Sequence, residues 1–233
     1  MQRTEIISTK ANPSFSPQVK ICGLTRIDEA AACAELGANA VGVIFYSRSP
    51  RCISPEQAKR IRDALPSHTS VVGVFVNEDF DAVMTIVGRT GIRTVQLHGQ
   101  EPPELVNRLK NEGLSVIKAL FSQIRPGLER ALDYAAATAF LVEAGSGPMP
   151  GGTALAWNWK AARIPECEKP LILAGGLSPE NILQAIDACS PDAVDVSSGV
   201  EIRPGQKDIS RVRNLMITVS SCKTSINPRR IFL

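Results

Sequence analysis

The chain has 233 residues, 26 Lys and Arg against 23 Asp and Glu, a net charge of +3 and 5% aromatic residues, which leaves no basic, aromatic-laced stripe for nucleic acid. Six cysteines, at 22, 33, 52, 167, 189 and 222, form no CxxC pair or tight cluster, so reduced thiols are expected rather than a disulfide frame or a zinc site. No apolar run has the length of a membrane span and the first eighteen residues lack the apolar core of a signal peptide, so a soluble cytoplasmic protein is expected, of a length that suits one α/β domain.

Residues 1–18 show no period and read as a loose leader or an edge segment. The first strand is predicted at Val19 to Cys22, and Thr25 with Asp28 resembles a capping box that opens an alanine-rich helix ending near Gly37. A second strand spans Ala40 to Phe45. After the loop from Tyr46 to Ile53 comes a helix whose start, Ser54-Pro55-Glu56-Gln57, carries a cap, a proline at the first helical position and a glutamine able to reach back. Val71 to Val76 is a β-branched third strand, followed by a helix from about Asp79. Strands four, five and six are predicted at Thr94 to Leu97, Ser115 to Leu120 and Ala139 to Val142, with helices starting near Pro102-Pro103 and Gly127 between them. The stretch from Ala144 to Ala156 holds four glycines and two prolines, and a loop this long inside a compact domain is usually functional.

Strands seven and eight are the short apolar runs Leu171 to Ala174 and Ala193 to Val196. Each stops at a bare turn. Gly175 and Gly176 precede Ser178-Pro179-Glu180, which reads as a helix cap followed by an N1 proline, and Ser197-Ser198-Gly199 follows the other strand. Exposed backbone N–H groups at two successive turns of this kind make a phosphate cradle. A last helix is predicted from about Asp208 to Val219, leaving 220–233 as a tail without a period. Eight strands alternating with helical patterns argue for a single (β/α)8 TIM barrel over residues 19–219 rather than a doubly wound sheet.

In such a barrel the polar residues at the C-terminal strand ends face the active site. That rule selects Cys22, Arg51 in the second loop, Asn77, Gln96, His98, Lys118, Glu143, the Gly175-Gly176 turn and Asp195 to Gly199. The set holds no metal-ligand spacing, no dinucleotide fingerprint and no lysine in a Schiff-base context beyond Lys118, so cofactor-free chemistry on a small phosphorylated molecule is expected. A thiol and a carboxyl group facing one another suit paired proton transfer. Cys22 then needs a cation or a helix N-terminus to lower its pKa, and the helix opened at Thr25 is placed to supply it.

The blocks VKICGLTR (19–26), GVIFYSRSPRCIS (42–54), VGVFVN (72–77), VQLHGQE (95–101), LAGGLSPEN (173–181), VDVSSGVE (194–201) and PGQKD (204–208) resemble the motifs of the phosphoribosylanthranilate isomerase family, in the same order and spacing from Val19 to about Val219. The resemblance implies the Amadori rearrangement of N-(5-phosphoribosyl)anthranilate in tryptophan biosynthesis. It implies Cys22 as the general base that takes the C2 proton and Glu143 as the acid that protonates the ring oxygen. Arg51 would hold the anthranilate carboxylate, and Gly175, Gly176, Ser198 and Gly199 the phosphate. No cofactor is implied, and Gln96, His98, Lys118 and Asp195 receive no individual role.

Two positions depart from the family pattern: glutamate stands at 143 where aspartate is usual, and Ala154 where glycine is common. An adjustment of the loop 144–152 around the longer carboxyl arm is expected. The competing readings are a non-catalytic barrel that binds a phosphorylated ligand, and another sugar-phosphate enzyme of amino-acid biosynthesis. For the latter, an aspartate or a lysine is expected at the end of strand one instead of Cys22. Sequence leaves monomer and homodimer open.

Overall fold

The computed structural model describes residues 15–145, 157–164, 167–222 and 227–232. Its strands are β1 (Gln18–Cys22), β2 (Ala40–Ile44), β3 (Ser70–Phe75), β4 (Thr94–Leu97), β5 (Ser115–Phe121), β6 (Ala139–Glu143), β7 (Leu171–Leu173) and β8 (Ala193–Val196). They form a closed parallel barrel, sealed where β1 meets β8 with Lys20 opposite Asp195 and Ile21 opposite Val196. The TIM-barrel expectation holds.

The strands are near-continuous apolar runs because both faces are covered, and the two-residue alternation of strand side chains divides the core in two. Inside the barrel lie Ala40, Val72, Ile117, Ala139, Leu141 and Ile172. Facing the helices are Val41, Val43, Val95, Phe140, Val142 and Val194. Lys20 and Cys22 share a face with Gln18 and so point inward, whereas Lys118 lies between the inward Ile117 and Ala119 and points out.

Six α-helices lie among the described residues: α1 (Ile27–Glu35), α2 (Pro55–Ala64), α3 (Phe80–Thr90), α4 (Pro103–Asn111), α5 (Ile182–Cys189) and α6 (Ile209–Ser221). The expected capping box at α2 is present, with Gln57 N–H donating to Ser54 Oγ at 3.2 Å and Ser54 N–H to Gln57 Oε1 at 3.0 Å. Asp79 and Asp208 cap α3 and α6 through their side chains. Elsewhere tertiary contacts override the local signal. The Thr25 hydroxyl donates to the Gly205 carbonyl at 2.6 Å instead of capping, and α1 starts at Ile27 with no side-chain cap. The helix expected at Ser178-Pro179 becomes regular only at Ile182, because Asn181 folds back on the preceding turn. The segments after β5 and β6 are 3-10 helices, Leu128–Tyr134 and Trp159–Ala162, rather than α-helices.

After β8, a short 3-10 helix (Ser198–Val200) leads into a hairpin of β9 (Glu201–Arg203) and β10 (Gln206–Lys207). Its turn carries Gly205 at φ +79°, a left-handed conformation that suits glycine. The hairpin matters for the site because it presents Glu201 and Lys207.

At the opposite end of the barrel, residues 227–232 dock under the strands. Ile231 and Phe232 are buried and join the interior cluster. The Gln18 side chain holds their backbone, accepting from the N–H of Ile231 at 2.7 Å and of Phe232 at 3.1 Å and donating to the Phe232 carbonyl at 3.0 Å. Arg229 grips Asp192 through Nε at 3.1 Å and Nη2 at 2.7 Å, while its own N–H donates to the same carboxylate at 2.7 Å. A segment without periodicity thus closes the floor of the barrel.

Candidate active site

The inward positions at the C-terminal strand ends surround a cleft with Cys22, Arg51, His98, Glu143, Gly176 and Ser198 in its wall. Gln96, Gly175 and Asp195 also line it. Most of the residues singled out from sequence are therefore brought together here, and the exceptions have physical reasons. Lys118 faces the helix layer, where its ammonium donates to Glu101 at 2.7 Å and to the Gly99 carbonyl at 2.7 Å; burial pulls its pKa down and Glu101 opposes that. It braces the loop after β4 instead of lining the cleft. Asn77, at φ +56°, is turned to the same loop and accepts from the Gln100 N–H at 2.7 Å. Gly199 is absent from the lining, and a Cβ there would collide with the Leu177 carbonyl, so its bareness lets the turns after β7 and β8 pass one another closely.

The turn after β7 is preformed. Gly175 and Gly176 both take left-handed conformations, at φ +85° and +68°. Asn181 locks them from below, its Nδ2 donating to the Gly176 carbonyl at 2.8 Å and its Oδ1 accepting from the Ser178 N–H at 2.8 Å. The Trp157 indole donates to the Ala174 carbonyl at 3.0 Å and the Trp159 indole to the Gly175 carbonyl at 3.4 Å. The carbonyls are thus engaged on the far side. The N–H groups of Gly175, Gly176 and Leu177 donate to no acceptor among the described residues, which is the polarity an anion requires.

Glu143 ends β6 and is buried, with Oε1 at 3.2 Å from Nε2 of His98. His98 Nδ1 lies 3.0 Å from the Gln96 amide, and the ring stands edge-on to Phe121 at 5.6 Å between centroids. The QLHG stretch thus forms a wall that steers the Glu143 carboxyl. A side chain at Gly175 would press on Glu143 Cβ at 3.2 Å and on Trp157 at 3.0 Å, so the bare glycine also leaves room for the glutamate. The loop adjustment expected over 144–152, from 146 onward, and the Ala154 departure both lie outside the described residues.

Across the barrel, Cys22 sits among charges. Burial pushes its thiol pKa up, with Lys20 opposing that rise, Asp195 adding to it and Lys207 opposing it more weakly. The help anticipated from the helix after β1 is not what the thiol meets: that helix begins five residues on, at Ile27, and the neighbouring cations are Lys20, Lys207 and Arg51. Lys20 is fully buried and its Nζ lies 2.9 Å from Asp195 Oδ2.

Arg51 comes from the loop after β2 and makes a paired bond to Glu201, Nε to Oε1 at 2.9 Å and Nη2 to Oε2 at 2.6 Å. Lys207 Nζ shares the same carboxylate at 2.8 Å. Burial works to raise the Glu201 pKa, but the two cations prevail and hold it below the usual carboxylate range. One carboxylate facing two cations leaves this side of the cleft net positive, ready for an anionic group of a ligand. Sequence reasoning missed Lys20, Glu201 and Lys207. The first shares strand parity with Cys22, and the other two stand in the SSGVE and PGQKD blocks, where only the hairpin fold shows that they converge on Arg51.

Comparison with known proteins agrees with this geometry. The family model for N-(5'-phosphoribosyl)anthranilate (PRA) isomerase matches residues 19–218. An N-(5'-phosphoribosyl)anthranilate isomerase from Desulfatibacillum aliphaticivorans is 46% identical over 215 residues, covering 92% of this chain and 98% of its own. One from Thermotoga neapolitana is 44% identical over 201 residues, with 85% and 96% covered. The crystal structure of phosphoribosyl anthranilate isomerase from Thermotoga maritima superposes with a TM-score of 0.80 at 39% identity, covering 88% of this chain and 98% of that one. A phosphoribosyl anthranilate isomerase in complex with reduced 1-(o-carboxyphenylamino)-1-deoxyribulose 5-phosphate gives 0.77 at 39% identity, with the same shares covered. With its barrel, its cleft and these relatives in agreement, the chain belongs to the N-(5'-phosphoribosyl)anthranilate isomerase family.

Proposed function

We propose that Cys22 and Glu143 are the general base and general acid with which this isomerase opens and rearranges N-(5'-phosphoribosyl)anthranilate. The observation that carries the assignment is their convergence, from β1 and β6, on a single cleft that also holds a bare, preformed anion turn and a buried arginine. Glu143 protonates the furanose ring oxygen, and the C1–O bond breaks to leave a C1=N iminium. Cys22 then removes the C2 proton, and the electron pair forms a C1=C2 enolamine. Proton return to C1 and loss of the hydroxyl proton at C2 give 1-(2-carboxyphenylamino)-1-deoxyribulose 5-phosphate. C1 is reduced as C2 is oxidised, atoms are conserved, and no outside oxidant or reductant enters.

The remaining residues bind and orient. The phosphate rests on the backbone amides at Gly175, Gly176 and Ser198, with Gly199 holding the two turns together. The anthranilate carboxylate meets Arg51, whose guanidinium is held in place by Glu201 so that little side-chain freedom is lost on binding. Gln96 and His98 hold the Glu143 carboxyl in position. The enzyme acts in the cytoplasm on this small phosphorylated substrate, as a monomer or homodimer and without nucleic-acid or membrane partners. Its six free thiols, small net charge and lack of any membrane-length apolar helix among the described residues support that reading.

The test is turnover. Freshly generated phosphoribosylanthranilate loses its fluorescence as it is rearranged, and the purified chain is expected to accelerate that decay catalytically. Binding of a reduced product analogue with no acceleration of the decay would point instead to a barrel that keeps its ligand site without the chemistry.

A further inference from the structure

The barrel interior is layered with alanine, valine, leucine and isoleucine, yet Lys20 stands fully buried within it, paired with Asp195. A buried ion pair of this kind contributes less to stability than well-packed apolar side chains would, so its position calls for another explanation. Lys20 and Cys22 are two residues apart on β1 and point to the same face. Across the β1–β2 pairing Cys22 faces Gly42, where a Cβ would stand 2.6 Å from the thiol sulfur and 3.2 Å from Lys20 Cε. The missing side chain of Gly42 is therefore the space in which the lysine arm and the thiol come together.

We propose that Lys20 is the positioning residue of the base: its ammonium, aimed and kept charged by Asp195, supplies the positive partner that the thiolate form of Cys22 needs in a buried site. This rests on the reading of Cys22 as the base. A thiol in a dry pocket resists ionisation unless a cation faces it. The charged groups around Cys22 are Lys20 on its own strand, Asp195 on β8, Lys207 on β10 and Arg51 in the loop after β2, the last two sharing Glu201 of β9. Lys20 acts on the thiol most strongly of the cations named, and it is itself held protonated: burial works against its charge, but Asp195 and Cys22 outweigh that. Asp195 has the opposite effect on the thiol and restrains the pull of Lys20, so that the sulfur stays basic enough to take a proton from carbon. The Oδ1 of Asp195 has no hydrogen-bond partner among the described residues, so this carboxylate is only partly neutralised by its lysine.

The experiment is the pH dependence of iodoacetamide alkylation at Cys22, followed by mass of the Cys22 peptide, beside the pH profile of kcat/KM. Lys20→Met is expected to raise the alkylation midpoint by about one pH unit or more and to carry the acid limb of kcat/KM up with it. Lys20→Arg, which keeps a cation, is expected to restore most of the wild-type midpoint. This rescue by a conservative cation is one that a merely structural role for the lysine would not link to the thiol midpoint. A midpoint matching wild type, or moving the other way, in folded Lys20→Met, or no rescue in folded Lys20→Arg, overturns the proposal. Retained turnover in Cys22→Ser would instead remove Cys22 as base, an outcome that the alkylation midpoints neither require nor exclude.

Discussion

The two ends of this barrel are made from the same inward-facing strand positions and serve opposite purposes. At the floor, Ala40, Ala139, Ile172 and Ala193 share one buried apolar cluster with Ile231 and Phe232 of the segment 227–232. At the mouth, a few residues further along the same strands, the inward positions become Cys22, Gln96, Glu143 and Asp195, and the turns become glycines in left-handed conformations. Burial without apolar partners costs stability, so a barrel can carry such a mouth only because its floor and outer layer are packed well. Substitutions at the floor should therefore change stability and leave catalysis alone, whereas those at the mouth should do the reverse.

The comparison breaks first at Gly199. A Cβ there forces the two anion turns apart, and Gly199→Ala is expected to lower kcat/KM by about 100-fold or more. Equal kinetics in the variant would show that the close approach of the turns does nothing for the ligand. At the floor, Phe232→Ala is expected to cost about 3 kcal/mol in urea unfolding, the low side for a buried phenylalanine, with kcat/KM unchanged. A loss of activity without a loss of stability would put the tail on the wrong side of the division. Arg51→Gln removes the charge-assisted contact proposed for the substrate carboxylate and strands Glu201 with Lys207 alone. It is expected to raise KM by about tenfold, equivalent to about 1.4 kcal/mol, with a smaller change in kcat. The smallest effect belongs to neither end. Ser54→Ala deletes the capping box of α2 and is expected to lower stability by about 1 kcal/mol with no kinetic consequence.

The floor and the mouth were also legible in sequence to different degrees. Alternating strand and helix patterns, the Ser54 to Gln57 box and the glycine pairs are local signals, and local chemistry decided those elements. The same holds for the convergence of Cys22, Arg51, His98 and Glu143, since the rule that strand ends face the mouth needs only the strand count. What escaped was set by partners distant in the chain. Thr25 looks like a cap until Gly205, 180 residues away, takes its hydroxyl. Lys118 looks like a mouth residue because an apolar strand buried on both faces hides which parity points inward. Lys20 could have been found by stepping two residues back from Cys22, but the charge that explains it, Asp195, comes from the far end of the chain. The docking of Ile231 and Phe232 left no trace in periodicity at all, because two adjacent apolar residues have no period to show.

In the proposed mechanism one thiol and one carboxyl group divide two proton transfers across the cleft. Its most direct test is the fluorescence decay of phosphoribosylanthranilate with wild type, Cys22→Ser and Glu143→Gln, measured beside the affinity of each for the reduced product analogue. The expected result is a loss of turnover by about a thousandfold or more in both variants while analogue affinity stays within a fewfold of wild type. Near-normal turnover in Glu143→Gln would contradict the acid assignment, and near-normal turnover in Cys22→Ser the base assignment.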